Sequence, residues 1–151
     1  MELTFRELKK AELITIKEIN RSEIIYEIYK YVNGALILKP EYCVVEAFDP
    51  KELEYIITSQ NRILEEGGKV IGAFDNDTIA GVASVENKKR GIRSEYCKMD
   101  ILYVSADYRG KRIGHKLVEE CKKIALDFGA KKLYISATPT KATIDFYRNE
   151  G

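Results

Sequence analysis

Histidine is nearly absent from this chain of 151 residues: His115 stands alone. Cysteine is scarce, and Cys43, Cys97 and Cys121 are odd in number, far apart and without a CxxC pair. One histidine and three scattered thiols argue against a zinc site, whose ligands come at short fixed spacings. The same thiols offer no disulfide framework, as expected of a protein kept in a reducing cytoplasm. Charge of one sign is not in excess: 25 Lys and Arg against 24 Asp and Glu leave +1. No global field therefore draws nucleic acid or a membrane surface. No apolar run approaches the roughly 20 residues that span a bilayer, and Met1-Glu2-Leu3-Thr4-Phe5-Arg6 has no signal-peptide core. Repeats, low-complexity tracts and Pro/Gly/Ser-rich linkers are lacking too, which predicts one domain over residues 1–151. What remains is a globular composition, 45% apolar and 32% charged, in a chain long enough to bury a core.

Leu3 to Leu8 alternates apolar and polar residues and predicts a strand; Lys10 to Ile19 predicts a helix. Apolar runs over 24–32 and 35–45 flank Asn33-Gly34, two residues tolerant of positive φ, and so predict a β-hairpin. Pro40 puts the second of these strands at an edge or near its end. Asp49-Pro50-Lys51-Glu52 predicts a helix start, with Asp49 as cap, Pro50 first in the helix and Glu52 placed for a capping box. Leu53, Ile56, Ile57, Ile63 and Leu64 follow at helical spacing up to Gly67-Gly68. Strands over 70–74 and 78–85 joined by Asp75-Asn76-Asp77, a charged loop over 86–95 and a strand over 96–104 come next. Ile113, Leu117, Val118, Cys121, Ile124, Ala125 and Phe128 make one apolar stripe, predicting a helix from about Lys111 to Phe128 stopped by Gly129. A short strand over 132–136 and a helix over 139–149 complete the chain. Strands flanking helices imply a parallel crossover in a mixed sheet, hence an α+β or α/β class.

Chemistry concentrates in Tyr103-Val104-Ser105-Ala106-Asp107-Tyr108-Arg109-Gly110-Lys111-Arg112-Ile113-Gly114. A strand hands over through a short glycine-containing basic loop to an amphipathic helix. The unpaired amides and positive dipole end of a helix start suit a phosphate. Glycine lets backbone approach a ligand closely, and Arg109, Lys111 and Arg112 add positive charge. The expectation is an anion site, best suited to a pyrophosphate. It is neither a P-loop, which needs Gly-Lys-Ser/Thr, nor a GxGxxG fingerprint.

This segment resembles motif A of the GNAT acetyltransferases, Q/R-x-x-G-x-G/A, with Arg109 first, Gly114 last and Arg112 at the usual middle glycine. Helical dihedrals at Arg112 would still aim its amide at a phosphate; a position demanding positive φ would not tolerate it. The resemblance runs over about residues 70–151. Phe74-Asp75-Asn76-Asp77-Thr78-Ile79-Ala80-Gly81 looks like the family's hairpin, and Met99-Asp100-Ile101-Leu102-Tyr103-Val104 like its cofactor strand. Ala142-Thr143-Ile144-Asp145-Phe146-Tyr147-Arg148-Asn149-Glu150-Gly151 looks like motif B, N-x-x-A-x-x-F-Y-x-x-x-G-F, with Thr140 and Thr143 at the Asn and Ala positions.

The resemblance implies an α+β fold, an α/β/α sandwich with a mixed, mostly antiparallel sheet and a splayed cofactor strand. It also implies a cytoplasmic N-acetyltransferase that passes the acetyl group of acetyl-CoA to a primary amine by direct attack in a ternary complex. Leu102, Tyr103 and Val104 would offer backbone to the pantetheine arm, as a sheet edge does to an added strand. The amides of Arg109, Gly110, Lys111, Arg112, Ile113 and Gly114 would hold the pyrophosphate, with Thr140 beside them. Tyr147 would be the acid toward the departing thiolate; its alternative role is an aromatic anchor for the last helix. Asp100 is the candidate base; its alternative is a salt bridge to a neighbouring cation, because a buried carboxylate costs several kcal/mol unless paired. By strand alternation Lys98, Asp100, Leu102 and Val104 should share a face.

Acceptor specificity would lie partly in the Asn33-Gly34 hairpin, whose Tyr26, Glu27, Tyr29, Tyr31, Glu41 and Tyr42 could receive a cationic small-molecule or peptide amine, or simply pack and solubilise a sheet. Lys88-Lys89-Arg90 and Arg93 make a solvated loop or an aid to the cofactor's ribose phosphate. The chain stops at Gly151 where family members add two strands, so an open sheet edge would let two copies pair. The alternative to an enzyme is a non-catalytic acyl-CoA-binding or regulatory domain; a plain interaction module is the third reading.

Overall fold

A computed structural model describes residues 3–135 and 141–149, the second stretch with side chains at 143–148. In chain order the elements are β1 (Leu3–Glu7), a 3₁₀ segment (Lys10–Glu18), β2 (Glu23–Val32), β3 (Ala35–Val45), α1 (Pro50–Glu65), β4 (Lys69–Asp75), β5 (Thr78–Val85) and β6 (Tyr96–Val104). A 3₁₀ turn (Ala106–Tyr108), α2 (Ile113–Asp127), β7 (Lys132–Ile135) and α3 (Lys141–Asn149) follow. Ser136 and Pro139, expected in the last strand and helix, lie outside the described residues. Among the described residues no helix is long and apolar enough to cross a membrane.

The main sheet runs β1-β4-β5-β6-β7, antiparallel except for the parallel β6–β7 pair, which α2 connects. It is the mixed, mostly antiparallel α+β sheet that the sequence predicts. One apolar cluster packs α2 through Ile113, Leu117, Val118 and Cys121 against Ala83, Cys97 and Met99. The cluster on the opposite face joins Leu13, Ile16, Ile19 and Ile56 to Val70, Ile79 and Val82. Helical layers thus cover both faces of the sheet.

Four local expectations are corrected. Residues 10–18 form a 3₁₀ segment rather than an α-helix. Its buried Leu13 and Ile16, with Ile19 just beyond, recur every third residue, the period of a 3₁₀ helix. Asp49 caps α1 by accepting from the Lys51 amide at 3.2 Å, but Glu52 pairs with Arg21 instead of closing a capping box. Helix α2 starts at Ile113, two residues later than the apolar stripe suggests.

The fourth concerns β6. Ala83 faces Leu102 while Val85 faces Met99, so β6 carries one residue more than β5 between those pairs. This bulge reverses the alternation. Cys97, Met99, Leu102 and Val104 all belong to the α2-side cluster, whereas Ile101 and Tyr103 join the α1 side. Lys98 and Asp100 therefore do not share a face with Leu102 and Val104.

The β2–β3 hairpin turns through Asn33 (φ 49°) and Gly34 (φ 84°), with Val32 opposite Ala35. It forms a separate two-stranded sheet. β3 is thus an edge, as Pro40 requires, and all of its residues but Val45 are exposed.

Candidate functional site

The turn into α2 is built from two left-handed residues. Gly110 sits at φ +79°, and a Cβ there would meet nothing within 4 Å; its conformation, not crowding, demands glycine. Arg112 sits at φ 62°, ψ 19°. The backbone does require positive φ at this position, and the chain places an arginine there at a cost of about 1–2 kcal/mol. A left-handed residue cannot continue a right-handed helix, so α2 begins after it. Left-handed residues on both sides of Lys111 turn successive N–H groups toward one concavity, an anion nest.

Among the described residues no backbone carbonyl accepts from the amides of Gly110, Lys111, Arg112, Ile113 or Gly114. Beside this turn and the start of α2 lies a cleft of about 510 Å³ walled by Val104, Tyr108, Arg109, Gly110, residues 112–115 and Phe146. Gly114 has a different duty from Gly110. A Cβ on it would come within 3.2 Å of Phe146 Cζ, so its bareness lets α3 close against the start of α2.

The basic side chains of this turn do less than their charges suggest. Arg109 Nε donates to the Val104 carbonyl at 3.2 Å, and its guanidinium also donates to the Ser22 carbonyl. Lys111 Nζ rests 5.5 Å above the Tyr108 ring, away from the cleft lining. Lys89 Nζ lies beside Gly129 at the far end of α2, about 22 Å from the nest by helix rise. Arg90 pairs with Glu86 at 3.2 Å. Of the basic residues in the turn, Arg109 and Arg112 line the cleft and Lys111 does not.

Below the nest, β6 pairs with β7 through its first four residues. Their pairing runs from Tyr96–Lys132 to Met99–Ile135, and among the described residues Asp100 to Val104 have no strand partner on that side. The Ser105 amide donates to the Ala80 carbonyl at 2.8 Å. By antiparallel alternation Tyr103 then also spends its backbone on β5, while Leu102 and Val104 turn theirs to the side away from β5. Of the three residues expected to meet the pantetheine arm, Leu102 and Val104 direct their backbone away from β5 and Tyr103 does not. The Tyr103 side chain points to the α1 side, edge-on to Phe48 at 5.1 Å and 5.8 Å from the Arg21 guanidinium; burial pushes its phenol up.

Tyr147 and Phe146 extend from α3 into the α2-side cluster, their rings 5.2 Å apart and edge-on. Burial, above all, pushes the Tyr147 phenol up to about 12, with Cys121 and then Tyr103 as lesser causes. It stays protonated at neutral pH and keeps its O–H to donate. Asp100 lies on the other face. Gln60 Nε2 donates to its Oδ2 at 2.8 Å, and Lys98 Nζ stands 3.5 Å from its Oδ1. The ion pair weighed against catalysis is thus present. Thr140 lies outside the described residues.

Sequence reasoning missed Gln60, Arg21 and Phe48, and it named Tyr29 only as a candidate for receiving the amine. Gln60 was findable: fully buried, it sits between Ile56 and Ile63 at helical spacing, a polar residue inside an apolar stripe. The partner of Tyr29 had no local signal, because its hydroxyl donates to Asp145 Oδ1 at 3.0 Å across 116 residues of chain. Of the other hairpin tyrosines, Tyr26, Tyr31 and Tyr42 are exposed.

Residues 28–151 match the model of the Acetyltransferase (GNAT) family. Among solved structures, nourseothricin acetyltransferase superposes with a TM-score of 0.77 at 16% identity, covering 100% of this chain and 83% of that one. A putative streptothricin acetyltransferase from Bacillus anthracis str. Ames, in complex with acetyl coenzyme A, gives 0.74 at 17% identity, covering 100% and 84%. Glucosamine-6-phosphate N-acetyltransferase from Arabidopsis thaliana gives 0.61 at 16%, covering 100% and 91%. At these identities the likeness is one of fold. No curated protein sequence matches the chain.

Proposed function

Because this chain belongs to the GNAT acetyltransferase family, we propose that it transfers the acetyl group of acetyl-CoA to a primary amine within a ternary complex. The observation that carries this reading is the run of amides from Gly110 to Gly114 without a backbone acceptor among the described residues, beside a cleft at the start of α2. Such a nest fits a diphosphate. The outward backbone of Leu102 and Val104 fits an extended amide-bearing arm laid along β6. Acetyl-CoA, when bound there, supplies the activated thioester; the rest is positioning and proton management by this chain.

At neutral pH the acceptor must lose a proton, because an unperturbed alkylamine titrates near 10.4. Asp100, at the bulge in β6, is the carboxylate available to receive it, directly or through water. Tyr147 serves the leaving sulfur. With its phenol at about 12 and a thiol near 8.5, complete proton transfer would be uphill by roughly 3.5 units, about 5 kcal/mol. Tyr147 therefore acts by donating a hydrogen bond as charge builds on sulfur, with solvent completing the protonation. Solved relatives named for nourseothricin, streptothricin and glucosamine 6-phosphate support a small-molecule amine as acceptor.

One observation favours the second reading, an acyl-CoA-binding domain without turnover: both carboxylate oxygens of Asp100 already have partners. The two separate in one experiment. CoA at about 100 times its dissociation constant should stabilise the fold by about 2.7 kcal/mol under either reading. Release of free thiol dependent on an amine, across aminoglycosides, streptothricin, polyamines and amino sugars, is expected only of the enzyme. No stabilisation by CoA would refute both.

A further inference from the structure

Helix α3 spans nine residues, fewer than an isolated helix needs to persist in water. Its orientation is therefore set by what it touches. Residues three apart on a helix share a face. Asp145 and Arg148 accordingly look one way, and Phe146 and Tyr147 another. The inner pair packs into the α2-side cluster, with Phe146 against Gly114. The outer pair holds one side chain of the hairpin: Tyr29 Oη donates to Asp145 Oδ1 at 3.0 Å, and the Arg148 guanidinium lies 5.4 Å over the Tyr29 ring. A tyrosine from β2 is thus clasped at its hydroxyl and at its face by the helix that carries Tyr147.

We infer that Tyr29 is a positioning residue for Tyr147. The clasp fixes the rotation of α3 about its axis, and a helix rotation moves a ring at the end of a tyrosine side chain by far more than it moves the backbone. A donor aimed at one developing charge is sensitive to displacements of this kind. The clasp also ties the exposed β2–β3 hairpin to the reacting side of the molecule, so that anything seating against the hairpin acts on the orientation of Tyr147. The inference rests on the proposed role of Tyr147 and adds to it a residue that acts through its contacts with α3.

Two measurements on the full chain test it. In Tyr29→Phe, amide hydrogen exchange over residues 141–149 should accelerate about fivefold, the size expected for one lost hydrogen bond, with α2 unchanged. Unaltered exchange in α3 overturns the inference whatever the activity. In turnover with acetyl-CoA and streptothricin or glucosamine 6-phosphate, Tyr29→Phe should lower kcat about fivefold to tenfold. The KM for acetyl-CoA should hold, because the amides of the nest are untouched. The same substitution in a Tyr147→Phe background should cost nothing further, since its effect runs through the missing hydroxyl. Additive losses in the double variant refute positioning while leaving Tyr147 in place. An unchanged kcat in Tyr147→Phe alone, or no turnover with any acceptor, removes the proposed role of Tyr147 and the inference with it.

Discussion

Arg112 offers the sharpest test of the site, because the sign of a stability change depends on its backbone conformation. In a right-handed helix alanine is more favourable than glycine by about 1 kcal/mol. At φ 62°, ψ 19° the order inverts. An L side chain there carries about 1–2 kcal/mol of strain, which glycine lacks, while glycine gives back about 0.5–1 kcal/mol through unfolded-state entropy. Arg112→Gly should therefore be more stable than Arg112→Ala by about 0.5–1 kcal/mol, a swing of nearly 2 kcal/mol from the helical expectation. Comparing two variants that both lack the guanidinium removes its electrostatics from the result. For a chain of this length the gap corresponds to about 1–4 °C in melting temperature, and urea titration at constant m-value measures it directly. If the alanine variant proves the more stable, Arg112 is helical, α2 begins where the apolar stripe alone would start it, and the nest does not exist as described. CoA affinity should follow the same order, glycine at least equal to alanine, because the amide that faces the anion is common to both.

Asp100→Asn keeps an oxygen for Gln60 and loses only the partly exposed partner of Lys98, so stability should change by less than about 1 kcal/mol. If Asp100 takes the amine proton, kcat/KM should fall about 100-fold or more; equal turnover would strike it from the mechanism. On the alkaline side, the Tyr147 phenol titrates near 10 when unfolded and at about 12 when folded. The unfolded chain therefore sheds this proton first, and stability contributed below pH 10 is lost as pH rises toward 12. Tyr147→Phe should flatten that limb of the stability profile, and an unchanged slope from pH 9.5 to 12 would show that the phenol is not buried. Cys43 is exposed whereas Cys97 and Cys121 are buried, and burial holds the Cys121 thiol up at about 12. A disulfide reagent at pH 8 should modify one thiol quickly in the native protein and three after unfolding; two fast thiols would contradict the packing of α2.

Short-range pattern was enough for most of the architecture. The apolar stripe of α2, the cap at Asp49, the Asn33-Gly34 turn and the strand boundaries are each decided within a few residues by periodicity and dihedral preference. The local order of strand, glycine-basic turn and helix was enough to single out the turn around Gly110 and Gly114 as the candidate site. Three things were decided by distant chain. The bulge in β6 arises because β5 supplies one residue fewer opposite Met99 to Leu102; it reverses the strand faces and moves Asp100 to Gln60, a partner 40 positions away. The left-handed turn at Arg112 is imposed where the chain must fold from β6 onto the helix layer, against the preference of arginine. The clasp of Tyr29 by α3 joins residues 116 apart. A sequence specifies its local dihedrals through sterics between neighbours, but the face a side chain finally presents depends on the count of residues in a different strand. That count acquires physical meaning only once the sheet has formed.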